Sequence, residues 1–238
     1  AVLGKRETTY GTDIVPANAD ALLFFDVELT PFEGTYVQRR PASPFFRAPE
    51  QVPAFAGERL KGSVEATGAG AAGTAPAYGH LLRACGLAET VNAGVSVTYA
   101  PASPAYDSDS LYWNMDGERH RLLGTRGTFE LAMRAGEIPR LTFDLMGLYV
   151  APTSAAMPAP DWSAWQKGKP VNNTNTPTAT LQGTAVVLRS LTRTCGQKLF
   201  HHNLPGVDEI RLTDREPSGS ISFEAPAISV KDWFTVAN

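Results

Sequence analysis

The sequence predicts an all-β protein, an antiparallel sandwich or partial barrel flanked by one α-helix. Three observations carry that expectation. Apolar and polar residues alternate in many short segments, the period-two mark of half-buried strands. Turn signals recur every ~8–12 residues, as in sandwiches and barrels. Only one segment has helical spacing: in Pro76–Gly86, Tyr78, Leu81, Leu82 and Cys85 fall on one stripe.

Taken in order, residues 1–20 are polar and punctuated by Gly and Pro, and are expected to form an N-terminal arm. The first strand is expected at Leu22–Thr30, where Phe25, Val27 and Leu29 alternate with Asp26, Glu28 and Thr30. Residues 31–57 carry Pro31, Pro41, Pro44, Pro49 and Pro53. Proline removes ladder donors, so this segment is expected to be a long loop and not an interior strand. It also carries Phe32, Tyr36, Phe45, Phe46 and Phe55, and so many aromatics call for a surface to cover.

A strand is expected at Leu60–Thr67, then a flexible Gly/Ala connector, Gly68–Ala75. Pro76 suits the first helical turn and Gly86 a left-handed cap. Further strands are expected at Val95–Tyr99, Leu111–Met115 and Glu118–Leu123, the last two joined by Asp116-Gly117, a two-residue hairpin signal. In 127–134, Phe129, Leu131 and Met133 face one way and Thr128, Glu130, Ala132 and Arg134 the other. In 140–145, Leu141, Phe143 and Leu145 point inward and Arg140, Thr142 and Asp144 outward. Residues 151–178, with Trp162, Trp165 and five prolines, are expected to form a second long loop. Strands resume at Thr180–Leu191, Glu209–Thr213 and Gly219–Glu224. No internal repeat or linker divides the chain, so residues 1–238 are expected to be one domain.

Composition narrows function. A chain of 238 residues with 43% hydrophobic and 19% charged residues is globular in character. A net charge of −3 argues against tight phosphate binding. Cys85 and Cys195 are too few and too far apart for a disulfide framework or a zinc site, and fit a reducing cytoplasm. Ala1–Glu7 lacks the apolar run of a signal peptide, and a missing initiator Met is expected where processing exposes a small second residue. No stretch reaches the ~20 apolar residues of a membrane span.

The motifs that suggest chemistry are weak. Gly68-x-Gly70-x-x-Gly73 resembles a dinucleotide fingerprint, but the strand before it alternates, and no βαβ unit follows. His201 and His202 are adjacent on a predicted strand and point to opposite faces, so they do not share a metal. Asp107/Asp109 and Asp208/Glu209 read as solvated loop carboxylates. Asn172-Asn-Thr174 is a chance sequon. Trp162 and Trp165 either form a platform for sugar or protein, or pin their loop to the body. No catalytic residues, metal ligands or cofactor-binding residues are expected.

Seven segments together resemble the tail tube (major tail) proteins of long-tailed bacteriophages. They are Glu7–Thr12, Ala77–Leu87, Val97–Pro101, the Asp116-Gly117 hairpin, Leu123–Leu131, Gly136–Phe143 and Ile210–Gly219. Each is a mild pattern; their order and spacing make the likeness specific. The resemblance implies a β-sandwich whose strands complete a closed barrel in a hexameric ring, with rings stacked into a tube. It also implies a lumen holding the tape measure protein and then DNA, without sequence-specific binding. Tail terminator and distal tail proteins would meet the tube ends, and the subunit would be made in the host bacterial cytoplasm. On that basis Thr128, Glu130, Thr142 and Asp144 are candidates to face the lumen. Phe45, Phe46 and Phe55, in the 31–57 loop, are candidates for stacking between rings, and Trp162 and Trp165 for anchoring the second loop. The rival readings are a sugar-binding sandwich module, an enzyme built on loop carboxylates, and a secretion-system tube protein.

Overall fold

A computed structural model describes residues 1–42, 45–103, 106–224, 227, 231 and 233. The strands are β1 (Val2–Arg6), β2 (Ala21–Leu22), β3 (Phe25–Arg39), β4 (Glu50–Glu65), β5 (Leu87–Asn92), β6 (Ser96–Pro101), β7 (Asp109–Met115), β8 (Glu118–Arg134), β9 (Arg140–Ser154), β10 (Thr180–Leu181), β11 (Thr184–Ala185), β12 (Val187–Thr194), β13 (Gln197–Leu204), β14 (Val207–Arg215) and β15 (Ser218–Glu224). One α-helix, α1 (Gly79–Ala84), lies between β4 and β5.

Nine strands form one antiparallel sheet. Its main path runs β2-β1-β7-β8-β9-β4-β3, and β12 pairs with the second half of β8 and carries β15 on its far side. The hairpins β5–β6, β10–β11 and β13–β14 form separate two-stranded sheets. Among the described residues the large sheet ends in open edges and does not close on itself, consistent with a sandwich.

The alternation in β8 and β9 sets the core. Leu141, Phe143 and Leu145 are buried, and join Leu60 and Val64 of β4, Leu111 of β7 and Leu122 of β8. Helix α1 covers this cluster with Leu81 and Leu82, flanked by Tyr78 and Cys85, as the helical stripe predicts. The helix is shorter than the 76–86 expected. It ends where Gly86 adopts φ +79° and its amide donates to the Arg83 carbonyl, the left-handed cap that glycine accommodates without strain. The Asp116-Gly117 turn has φ of 48° and 86°, and Met115 pairs with Glu118 across it, the turn type that matches strand twist.

Two expectations are corrected. Residues 1–20 are not a free arm: β1 lies between β2 and β7, and Val2 and Leu3 are buried. Residues 31–57 are not a loop either. Outside residues 43 and 44, which lie beyond the described residues, β3 and β4 continue as a long hairpin out to Arg39↔Glu50. The two prolines within the strands, Pro31 and Pro53, are tolerated because the ladder is irregular where they sit. Pro31 lies in the register shift between Thr30 and Glu33, and Pro53 pairs with Tyr36 beside the shift after Thr35. Proline belongs at bulges and on edge strands, and β3 is an edge. β5 lies outside every expected strand, β13 is expected only as a strand around His201 and His202, and the second long loop begins only after Ser154.

Candidate assembly surfaces

The four lumen candidates come together. Thr128 pairs with Asp144, and Glu130 with Thr142, on neighbouring rungs of β8 and β9. They occupy the face opposite the core, since Phe129, Leu131, Leu141 and Phe143 between them pack inward. Asp144 is not free. Arg59 of β4 holds it with two hydrogen bonds, Nε to Oδ1 at 2.6 Å and Nη2 to Oδ2 at 2.8 Å. Lys61 stands 3.9 Å away. These bonds to Asp144 push the Arg59 guanidinium further into its charged range.

The two arginines on this face are also paired within the chain. Arg140 reaches Asp26 at 3.0 Å, and Arg134 reaches Glu137 at 3.6 Å. Among the described residues Glu130 and Glu28 have no ion-pair partner. Thr128 accepts a hydrogen bond from the Gln197 amide at 3.2 Å, which covers it in part.

Sequence reasoning missed how far this face extends. Beyond β8, Ser190, Thr192 and Thr194 of β12 and Ser218, Ser220 and Ser222 of β15 continue the same rungs. Thr192 and Ser220 share a hydrogen bond of 2.8 Å. The signal was present as hydroxyl residues at every second position in both segments.

The three stacking candidates separate. Phe45 and Phe46 are exposed at the hairpin tip, at 79% and 111% of the reference area. The Arg39–Glu50 pair closes the last rung below them. Phe55 sits lower, half-buried, its ring edge-on to His201 of β13 at 5.0 Å. The two tryptophans separate as well. Trp165 packs on the core cluster beside Tyr78, and its indole N–H donates to the Ala21 carbonyl at 2.9 Å. Trp162 is exposed. A two-ring platform needs both faces open, and Trp165 is committed to its own body.

Buried ionisable groups mark the framework. Glu7 accepts four hydrogen bonds: from the Ser108 and Ser110 hydroxyls at 2.6 and 2.9 Å, and from the Gly11 and Gly124 amides, both at 2.8 Å. Tyr10 lies against Gly124, whose φ is +57° and where a Cβ would meet the Tyr10 ring at 2.6 Å. Burial pushes the Tyr10 phenol up to about 12. Its oxygen accepts the Ile210 amide at 2.5 Å. Asp109, expected to be solvated, is fully buried and bonded to His80 Nδ1 at 2.9 Å. Glu58, also fully buried, meets His120 Nδ1 at 3.1 Å. Burial raises the Glu58 carboxyl from 4.5 to about 7, against the opposing pull of His120. His201 Nε2 pairs with Asp208 at 2.7 Å. Among the described residues, no group of three His, Cys, Asp or Glu side chains could hold a metal ion, and no helix is long and apolar enough to cross a membrane.

The chemistry here is that of surfaces: a wide polar sheet face whose cations are largely paired, and a projecting aromatic hairpin. That defines a structural protein that works by assembling. The sequence matches the phage tail tube protein family model over residues 1–236, and the chain belongs to that family. No curated protein matches it. Membership makes the chain a structural component of a virion tail, where subunits assemble into a tube.

Proposed function

We propose that six copies form a ring, that rings stack into the tail tube, and that DNA passes through the lumen from capsid to host cell. The lumen would first hold the tape measure protein, with tail terminator and distal tail proteins at the tube ends. The observation that carries this reading is the polar face of β3-β4-β9-β8-β12-β15. It is rich in hydroxyls, and Arg59, Arg134 and Arg140 on it are each neutralised by an acid of the same chain. A polyanion binds tightly when unpaired cations replace its counterions. A surface whose arginines are already paired offers little of that exchange, so DNA slides past it. Thr128, Glu130, Thr142 and Asp144 are the lumen residues in this reading. Phe45 and Phe46 at the tip of the β3–β4 hairpin stack one ring on the next, since buried aromatics dominate such contacts. Phe55 supports the hairpin from below.

Negative-stain electron microscopy of the purified, concentrated protein tests this. Rings or tubes with a central hole and sixfold end views are expected. Persistent monomers at high concentration, with no tube carrying this chain in a particle fraction, would sink the reading.

A further inference from the structure

Among the described residues the large sheet ends in β2, whose two residues are buried, and in two exposed strands, β3 and β15, that differ in character. On one side is β3, whose stretch Phe25–Thr30 lies outside β4. On the other is β15, which pairs with β12 alone among the described residues. Monomeric proteins guard such edges with lysine, proline, bulges or inward charges. β15, Ser-Gly-Ser-Ile-Ser-Phe-Glu, has none of these until its last residue, Glu224, which is paired to Arg189. Residues Ser218–Ser222 are all exposed, Ile221 included. A shallow trough runs along this edge, lined by Leu181, Leu191 and Ile221 together with Arg193, Pro217 and the polar-face residues Thr192, Ser218 and Ser220.

We propose that β15 of one subunit pairs antiparallel with Val27–Thr30 of β3, the part of that edge beyond the bulge at Asp26, in the next subunit of the ring. This rests on the ring reading above and names the edges that join. Three features of the chain select them. The first is polarity. Every neighbour along β15-β12-β8-β9-β4-β3 is antiparallel. In a path of six such strands the first and last run oppositely, so a second copy set beside the first continues the alternation.

The second feature is the match of faces. β15 presents Ser218, Ser220 and Ser222 on the polar face and Gly219, Ile221 and Phe223 on the other. β3 presents Glu28 and Thr30 on the polar face, with Val27 and Leu29 packed against the core. Setting Ser220 opposite Glu28 places Ile221 beside Val27 and Gly219 beside Leu29. The polar face then stays polar across the joint, and Ile221 gains an apolar neighbour. A slip by one residue would reverse every side chain.

The third feature is stagger. The rung through Ser220 continues through Thr192, Ala132 and Arg140. The rung through Glu28 continues through Lys61, Asp144 and Thr128. Joining them steps the ladder along the strands from each copy to the next, the displacement that closing a sheet into a barrel requires.

Cysteine cross-linking tests the pairing. Directly opposed residues on one face are close enough for a disulfide, and the native Cys85 and Cys195 are buried. Electron microscopy first establishes that the wild-type chain forms rings; if it forms none, the ring reading fails and this proposal with it. In assembled Glu28→Cys/Ser220→Cys protein, mild oxidation is expected to convert most of the monomer band into a ladder ending at the closed ring. The opposite-face pair Val27→Cys/Ser220→Cys is expected to give no ladder. Intact rings without cross-links in the first variant, or equal cross-linking in both, would overturn the pairing and leave the ring reading standing. Dimers from Ser220→Cys alone would overturn it in favour of β15 pairing with its own copy.

Discussion

The β3–β4 hairpin is two structures on one pair of strands. From Gly57 to Ser63, β4 lies between β3 and β9, it continues beside β9 to Glu65, and Leu60 and Val64 are fully buried. From Glu50 to Ala54 it has β3 alone for a neighbour, and every residue is exposed. The near half is held by the core. The far half is held by backbone ladder bonds, by Phe32 against Tyr36 and Tyr149, and by the Arg39–Glu50 pair. A two-stranded hairpin is marginal by itself in water. The far half therefore owes its shape to the near half, and in the proposed tube its exposed aromatics meet the next ring.

The largest expected effect that separates the halves comes from the near one. Leu60→Ala removes a fully buried side chain from the central cluster, so a loss of about 2–5 kcal/mol is expected in denaturant unfolding. An unchanged midpoint would mean that the cluster does not hold the sheet.

The junction carries a pH-dependent effect. Glu58 keeps its proton up to about pH 7 in the folded chain, against 4.5 for a free carboxyl. Between these values the unfolded chain releases a proton that the folded chain retains. Its contribution to stability is therefore fully present below pH 4.5 and is lost as pH rises through 7, by about 3 kcal/mol. Glu58→Gln is expected to flatten that part of the stability–pH curve and to be the more stable form at pH 8. The same slope in both proteins would remove Glu58 as its source.

The smallest effect on stability belongs to the tip. Phe46→Asp is expected to change unfolding by less than about 0.5 kcal/mol, since the ring is fully exposed, yet to yield folded subunits that do not polymerise. Normal tubes from this variant would remove the tip from the stacking contact.

These contrasts also explain what was legible in the sequence. The faces of β8 and β9 could be read from alternation because one side is buried and the other is not. The far half of β3–β4 could not, since both its faces are exposed and its prolines sit at register shifts that no local pattern reveals. β5 escaped, and β13 was read only around its two histidines, for a related reason: they belong to two-stranded hairpins that are largely exposed, so burial imposes little contrast on them. The lumen candidates were visible singly, but Arg59 as the partner of Asp144 lies 85 residues away. Trp162 and Trp165 were indistinguishable in sequence, and what separates them, Tyr78 and the Ala21 carbonyl, lies far along the chain. Glu7 looked like an ordinary polar residue because all but one of its hydrogen-bond donors come from Ser108, Ser110 and Gly124.

That last separation bears on how the chain is made. β7, one of the two neighbours of β1, and three of the four donors to the Glu7 carboxylate lie 101 or more residues downstream. At translation speeds of 5–20 residues per second, Val2 and Leu3 leave the ribosome about 5–20 s before β7 exists to receive them. For that interval β1 has the two residues of β2, but not β7, to pair with on a growing chain. A slow stretch of codons before Asp109 would lengthen the wait and lower the yield of soluble subunit, without altering one contact in the finished fold.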